Sequence, residues 1–174
     1  MKLKGKKIAI LVEHHYQDME VWAPYFRFKE EGARVLFAGT GTASSYQGKF
    51  GYPVSPDTTA GKLRAKSLDA VLIPGGWAPD FLRRHEPVLK LVRDMDREKK
   101  TIASICHGGW VLASAGILKG RTLTSFFAIR DDVVNAGGKF VDREVCVDRN
   151  LITARTPDDI PSFCREIISA LAKH

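Results

Sequence analysis

The residue of this sequence that is best placed for chemistry is Cys106. It ends an apolar run, Thr101 to Ile105, and helical spacing of apolar residues starts directly after it. Ser104 and Gly108 are small, as a sharp strand-to-helix turn, a nucleophile elbow, requires. Backbone N–H groups of the first helical turn stabilise a thiolate, so we expect the pKa of Cys106 to be lowered from about 8.5 towards neutrality. The alternative is a small buried residue that ends a core strand.

A second candidate is the glycine loop that follows another apolar run, Leu68 to Ile73. Pro74 is followed there by Gly75 and Gly76. Without side chains, glycines let backbone N–H groups approach a carbonyl oxygen closely, so these two glycines are candidate oxyanion donors, together with the N–H of His107. Taken alone, Pro-Gly-Gly more often forms only a turn.

The order of the elements explains how these groups would meet. Short apolar runs alternate with amphipathic stretches, beginning with Lys7 to Val12, then Met19 to Glu31 and Arg34 to Ala38. This order predicts an α/β fold with a doubly wound, mostly parallel sheet sandwiched by helices, and residues 44–55 predict an extended excursion or a small hairpin. Ligands of such sheets bind outside the carboxyl ends of the strands. We therefore expect one cleft there, with Cys106 in it.

Composition bounds the class of protein. The 174 residues are 44% hydrophobic and 27% charged, and they fit one domain, residues 1–174, that needs no disulfide. The basic N-terminus lacks a small-residue cleavage site, so we expect no export signal. Three widely spaced cysteines suit a reducing cytoplasm, where we expect the protein. The net charge of +7 is spread over helices beside acidic residues, so we expect neither specific nucleic-acid binding nor a membrane association.

Several segments in the same order resemble the ThiJ/PfpI superfamily, which includes the DJ-1 proteins, over nearly the whole chain. The segments are Asp18-Met19-Glu20, Pro24, Lys29-Glu30-Glu31-Gly32, Leu72-Ile73-Pro74-Gly75-Gly76, Ala103-Ser104-Ile105-Cys106-His107-Gly108, Asp131-Asp132-Val133-Val134-Asn135-Ala136-Gly137 and Thr156-Pro157-Asp158-Asp159. The similarity is greatest to the PfpI branch of intracellular proteases and deglycases. The resemblance implies a flavodoxin-like fold, akin to that of class I glutamine amidotransferases.

The resemblance also implies roles for four catalytic residues. Cys106 would be the nucleophile, with Glu20 beside its sulfur. A neutral Glu20 can donate a hydrogen bond to sulfur, whereas an ionised one opposes thiolate formation. His107 would be oriented by an acidic residue of a neighbouring subunit, at the position of Asp80. Asp80 is shorter than the glutamate that relatives often have, and a helix N-cap is an equal interpretation of it. Most relatives also have proline where this chain has Gly109.

The mouth of the expected cleft carries further polar and aromatic residues. His14 and His15 stand where the branch commonly has small or acidic residues. Neighbouring histidines do not share a face of a strand, so we favour exposed positions or substrate contacts, with His15 as the substrate-binding candidate, over a metal site. Four aromatic residues are either pocket-lining or buried in the core or an interface: Trp77, which we take as a substrate-binding candidate, and Tyr16, Trp110 and Phe126.

The function that follows from the resemblance is a cysteine-dependent glyoxalase or deglycase. It would protect against stress by acting on small reactive carbonyls such as methylglyoxal, or on their adducts, without a cofactor. One alternative is a peptidase or amidase with a triad of Cys106, His107 and a partner subunit's Asp80. The other is a redox sensor or chaperone in which Cys106 is oxidised. The resemblance implies a homo-oligomer, a dimer or a hexamer.

Overall fold

A seven-stranded sheet forms the centre of the structure, a computed structural model that describes residues 1–173. Its strands are β1 (Lys7–Leu11), β2 (Arg34–Gly39), β5 (Thr58–Thr59), β6 (Ala70–Ile73), β7 (Thr101–Ile105), β10 (Val145–Asp148) and β11 (Leu151–Ala154). They lie in the order β10-β11-β7-β6-β1-β2-β5, and every pair is parallel except β10 with β11. The predicted doubly wound, mostly parallel sheet is confirmed.

Helices flank this sheet. They are α1 (Asp18–Glu30), α2 (Ala78–Leu82), α3 (Glu86–Arg97), α4 (Gly109–Ala115), α5 (Arg130–Asn135) and α6 (Ile160–Ala172). Helix α1 packs against α6, and α3 packs against α4 and the central strands. All four residues of β6 are buried, as in a strand that is covered on both faces. The buried apolar side chains join into one core cluster.

Two small sheets lie outside the central one. The hairpin of β3 (Tyr46–Gln47) and β4 (Pro53–Val54) is antiparallel, as predicted for residues 44–55, and β8 (Thr122–Leu123) pairs with β9 (Lys139–Phe140). The hairpin is tied to the chain after β1, because the N–H of His15 donates to Gln47 O at 2.7 Å and the N–H of Lys49 donates to Tyr16 O at 2.7 Å. The hairpin loop therefore lies beside the end of β1.

The strand order sets the position of the candidate site. Strands β7, β6 and β1 are direct neighbours, so their carboxyl ends meet at the middle of one sheet edge. Cys106 follows β7, Gly75 and Gly76 follow β6, and the segment leading to Glu20 follows β1. A bridge between Tyr16 and Gly76 joins two of these loops directly. The expected convergence of three loops is confirmed.

Candidate active site

Cys106 occupies a strained turn between β7 and α4. Its φ is 58°, in the left-handed region that non-glycine residues seldom adopt, and it starts a single 3₁₀ turn, Cys106–Gly108. A side chain at Gly108 would lie 2.5 Å from Ser104 Oγ and 2.7 Å from Ile73 O, so the turn requires a glycine there. The predicted sharp turn from strand to helix is present, and Cys106 is 8% exposed.

Glu20 reaches this turn from the first turn of α1. The side chain of Gln17 caps that helix by accepting hydrogen bonds from the N–H groups of Met19 (2.7 Å) and Glu20 (3.2 Å). Glu20 itself is fully buried, and its Oε2 accepts a 2.6 Å hydrogen bond from the N–H of Gly75. Among residues 1–173, its other oxygen has no hydrogen-bond partner. Such a carboxyl group is poorly prepared to hold a negative charge.

Glu20 and Cys106 both approach the α-carbon of Gly75 closely. A Cβ atom on Gly75 would lie 2.6 Å from Glu20 Oε2, 2.6 Å from Cys106 Cβ and 3.0 Å from Cys106 Sγ. Gly75 is therefore required because the carboxyl group and the sulfur occupy the space beside it. The pairing of Glu20 with Cys106 that the resemblance implied is present in the structure.

The pKa values of this pair differ from the expectation based on the elbow alone. Burial, followed by the negative charge of Glu20, raises the pKa of Cys106 to about 12. The prediction of a lowered pKa was wrong because these two effects exceed that of the backbone N–H groups. Burial also raises the pKa of Glu20 to about 7, although the hydrogen bond from Gly75 lowers it. Near neutral pH, Glu20 therefore exchanges a proton with its surroundings.

Two backbone amides favour negative charge on the sulfur. The N–H groups of His107 and Gly76 both lower the pKa of Cys106 through hydrogen bonding. Both N–H groups point at the place where negative charge develops, and their role as oxyanion donors stays a prediction. The same prediction for Gly75 was wrong, because the Gly75 N–H is already bonded to Glu20.

His107 lies against the nucleophile and inside an aromatic cluster. Its Nδ1 is 3.3 Å from Cys106 Sγ. Its ring stacks on Phe126 with a centroid separation of 5.0 Å, and the rings of Trp110 and Trp77 lie 5.0 Å and 5.9 Å away. Burial, with the charge of Lys49, lowers the pKa of His107. The imidazole is therefore neutral at pH 7, able to accept a proton.

Asp80 does not reach His107 within this chain. It lies inside the first turn of α2, whose N-cap is Trp77, so the N-cap interpretation of Asp80 was wrong. Its carboxylate forms an ion pair with Arg84, which lies just after the end of that helix. Within residues 1–173, no carboxylate oxygen hydrogen-bonds to the His107 ring. Whether Asp80 acts across a subunit boundary stays a prediction.

The other predicted mouth residues take different positions. Trp77 is 55% exposed beside His107, as a substrate-contacting residue requires, whereas Tyr16 is fully buried and belongs to the core. His15 is exposed, and its ring lies 6.0 Å from that of Phe81 on α2. His14 Nδ1 accepts a hydrogen bond from the N–H of Gln47 at 3.2 Å. Among the residues described, no three acidic, histidine or cysteine side chains are grouped as a metal site would need.

Two features of the site escaped the sequence reasoning. Lys49, in the hairpin loop, lies close enough to lower the pKa values of both Glu20 and His107. In the sequence, Lys49 is marked only by being a single lysine among the glycines and aromatic residues of a loop. The indole of Trp110 donates a 2.8 Å hydrogen bond to Asp132 on α5. Asp132 stood out only as part of a segment that resembles the superfamily.

Comparison with known proteins agrees with this geometry. The family model described as the DJ-1/PfpI family matches residues 6–170. The chain belongs to the DJ-1/PfpI family. Deglycase PfpI of Pyrococcus furiosus is 42% identical over 165 residues, which cover 95% of this chain and 99% of that protein. Protein/nucleic acid deglycase 2 of Escherichia coli is 38% identical over 169 residues, with coverage of 96% and 98%.

Solved structures of the DJ-1/PfpI family share the fold. A two-domain protein of Anabaena variabilis with DJ-1/ThiJ/PfpI-like and ferritin-like domains superposes with a TM-score of 0.94 at 38% identity, over 95% of this chain and 48% of that one. Drosophila melanogaster DJ-1beta superposes with a TM-score of 0.90 at 27% identity, over 97% and 91% of the two chains. In residues 1–173, no helix has the length and apolar character needed to span a bilayer.

Proposed function

We propose that this protein is a cysteine-dependent glyoxalase or deglycase that acts on small reactive carbonyls, such as methylglyoxal, or on their early adducts. The observation that carries the proposal is the shared environment of Cys106 and Glu20, with a pKa of about 7 for the carboxyl group. An acid that titrates near neutral pH can both donate and accept the protons of such a reaction. Relatives named deglycases, at about 40% identity, support the same activity.

The reaction starts with the Cys106 thiolate, which forms while its proton resides on Glu20. Sulfur bonds to the aldehyde carbon, and the resulting oxyanion, held by the N–H groups of Gly76 and His107, takes a proton to give a hemithioacetal. A base, Glu20 or His107, then removes the hydrogen from the former aldehyde carbon while the oxygen of the neighbouring carbonyl takes up a proton, which gives an enediol. A proton is returned to the second carbon and the hydroxyl group of the first carbon loses its proton. The first carbon is thereby oxidised to a thioester and the second is reduced to an alcohol. Water releases the hydroxy acid and restores the thiol.

The test compares wild type with Cys106→Ala on methylglyoxal, with lactate as the measured product. We expect turnover to fall to the level of buffer in the variant, because the sulfur that bonds to the aldehyde carbon is lost. Cys146→Ala is the matched control, since Cys146 is also 8% exposed but lies on β10. Equal lactate formation by wild type and Cys106→Ala would reject the proposal.

Assays of peptide hydrolysis and of peroxide oxidation, beside the carbonyl assay, distinguish two other functions. A putative cysteine protease of Bacillus subtilis is 37% identical over 167 residues, which supports a peptidase as second candidate. That activity would need a homo-oligomer in which a partner copy supplies Asp80 to His107. Loss of peptide hydrolysis in both Cys106→Ala and Asp80→Ala, without carbonyl turnover by wild type, would favour it. Peroxide oxidation of Cys106 without turnover of either substrate would favour the redox sensor.

A further inference from the structure

The orientation of His107 needs an explanation inside the single chain. A neutral imidazole beside a catalytic thiol normally has a polar partner on its second nitrogen, which fixes the ring and its tautomer. Here the polar contact of the His107 ring is with Cys106 Sγ, at 3.3 Å from Nδ1. Three aromatic rings surround it: Phe126 is stacked on it, Trp110 meets it edge-on and Trp77 lies slightly farther away. The ring is therefore positioned by packing.

Trp110 is the member of this cluster that is itself held by polar groups. Its indole N–H donates to Asp132 Oδ2 at 2.8 Å. From the other side, the Arg83 guanidinium lies 5.8 Å from the Trp110 ring centroid, and Arg83 is fixed by a 2.8 Å hydrogen bond from its Nε to Ser114 Oγ. Helix α4, which carries Trp110, is thus joined at this point to α5 and to the end of α2. Rotation of the indole would require loss of the Asp132 bond.

We propose that the Trp110–Asp132 hydrogen bond is a positioning device that holds His107 against Cys106 within one subunit. Asp132 acts through the indole, and the indole acts through its edge contact with the imidazole. The inference rests on the proposed function for its kinetic consequence, but its geometric part does not depend on any substrate. In this arrangement, a single chain orients the His107 ring through Trp110, and no carboxylate needs to bond to the ring itself.

The test uses four variants on the proposed carbonyl substrate. Trp110→Phe keeps an aromatic ring and removes the N–H, and Asp132→Ala removes the acceptor. Asp132→Asn keeps an acceptor oxygen and removes the charge. Asp131→Ala, a neighbouring exposed acid on α5, is the matched control. We expect kcat to fall roughly three- to tenfold in Trp110→Phe and Asp132→Ala with KM unchanged, since one exposed hydrogen bond is lost, and to recover in Asp132→Asn.

A spectroscopic measurement separates positioning from general destabilisation. The ¹⁵N chemical shifts of His107 report its tautomer and the contact of Nδ1 with sulfur, and we expect a mixture of orientations in Trp110→Phe and Asp132→Ala but wild-type shifts in Asp132→Asn and Asp131→Ala. Wild-type kcat and shifts in Trp110→Phe would overturn the proposal. The proposal would also be overturned if kcat fell equally in Asp132→Asn and Asp132→Ala but stayed normal in Trp110→Phe. The Asp132 carboxylate would then act through its charge and not through the indole.

The test still applies if one variant does not fold or if the wild type does not turn over the carbonyl. If Asp132→Ala does not fold, Trp110→Phe and Asp132→Asn carry the comparison alone. If wild type shows no carbonyl turnover, the proposed function fails, but the His107 shifts and the rate of Cys106 alkylation by iodoacetamide still test the positioning. Wild-type His107 shifts and a wild-type alkylation rate in Trp110→Phe would then overturn the proposal. Altered shifts and an altered alkylation rate in Trp110→Phe, with wild-type values in Asp132→Asn, would support it.

Discussion

Cys106 and Glu20 are two acids buried side by side, with pKa values of about 12 and about 7. As the pH rises, the pair therefore loses its first proton near pH 7 and its second near pH 12. Between them the pair holds one proton, which is shared: a thiolate with a neutral carboxyl group has the same charge as a thiol with a carboxylate. A thiol with a raised pKa thus still has a route to the nucleophilic form near neutral pH.

Gly75 allows this pair to form, which gives a prediction for Gly75→Ala. The added methyl group would lie 2.6 Å from both Cys106 Cβ and Glu20 Oε2, so the two side chains must separate. We expect loss of carbonyl turnover, slower alkylation of Cys106 and a loss of about 1–3 kcal/mol in the free energy of unfolding, as for other overpacked sites. Kinetics, alkylation and urea denaturation measure these effects.

Gly61→Ala is the matched control for that substitution. A methyl group there has its nearest neighbour, Pro87 Cβ, at an ordinary 3.4 Å, so activity and stability should remain near those of wild type. A Gly75→Ala variant that alkylates as fast as wild type would show that the carboxyl group and the sulfur do not need their present spacing.

At the scale of elements, the sequence was most informative where a local rule decides the structure. Small residues around Cys106 predicted the elbow, and the alternation of strands and helices predicted the sheet. Strands β7, β6 and β1 are neighbours because of the strand order, and this brings Glu20 close to Cys106. Only the resemblance to a family indicated that these two residues would pair. Side-chain bonds across elements, such as Glu20 with Gly75 and Trp110 with Asp132, have no periodic signal. They depend on packing distances that spacing does not encode.

The dependence on packing also explains why the predicted pKa of Cys106 and the predicted role of the Gly75 N–H differ from the structure. The helix-terminus rule predicted a lowered pKa for Cys106, but the burial of the thiol and the charge of a residue 86 positions away decide its direction. Gly75 was predicted as an oxyanion donor from its type, while the structure uses its N–H to hold Glu20. A backbone amide can be assigned to a ligand only when its other partners are known.

For the whole molecule, the burial of Glu20 predicts a cost in stability. Its pKa is raised from 4.5 to about 7 on folding, so the folded state binds the proton more tightly than the unfolded chain. Its contribution is fully favourable below pH 4.5 and is lost as the pH rises through about 7, a loss of about 3 kcal/mol at most. We expect Glu20→Gln to unfold like wild type at pH 4 and to be more stable at pH 8, by about 1–3 kcal/mol.

Urea denaturation at both pH values measures this difference. Glu30→Gln on the same helix is the control, because that carboxylate is exposed and paired with Arg27 at the surface. Equal destabilisation of Glu20→Gln at pH 4 and pH 8 would show that Glu20 contributes by packing and not by its charge. A gain at pH 8 would mean that the protein retains a destabilising acid for the sake of its site.

The proposed chemistry depends most on the proton shared by Cys106 and Glu20. The rate of Cys106 alkylation by iodoacetamide, measured against pH, tests that sharing most directly. Peptide mass spectrometry distinguishes Cys106 from Cys146 and Cys164. For wild type, we predict a rate that rises through about pH 7. In Glu20→Gln this step should disappear and the rate should rise only at higher pH, because burial still raises the pKa of the thiol. A wild-type rate that rises only as the thiol itself titrates, or a Glu20→Gln variant that keeps the step near pH 7, would show that Cys106 and Glu20 do not share a proton.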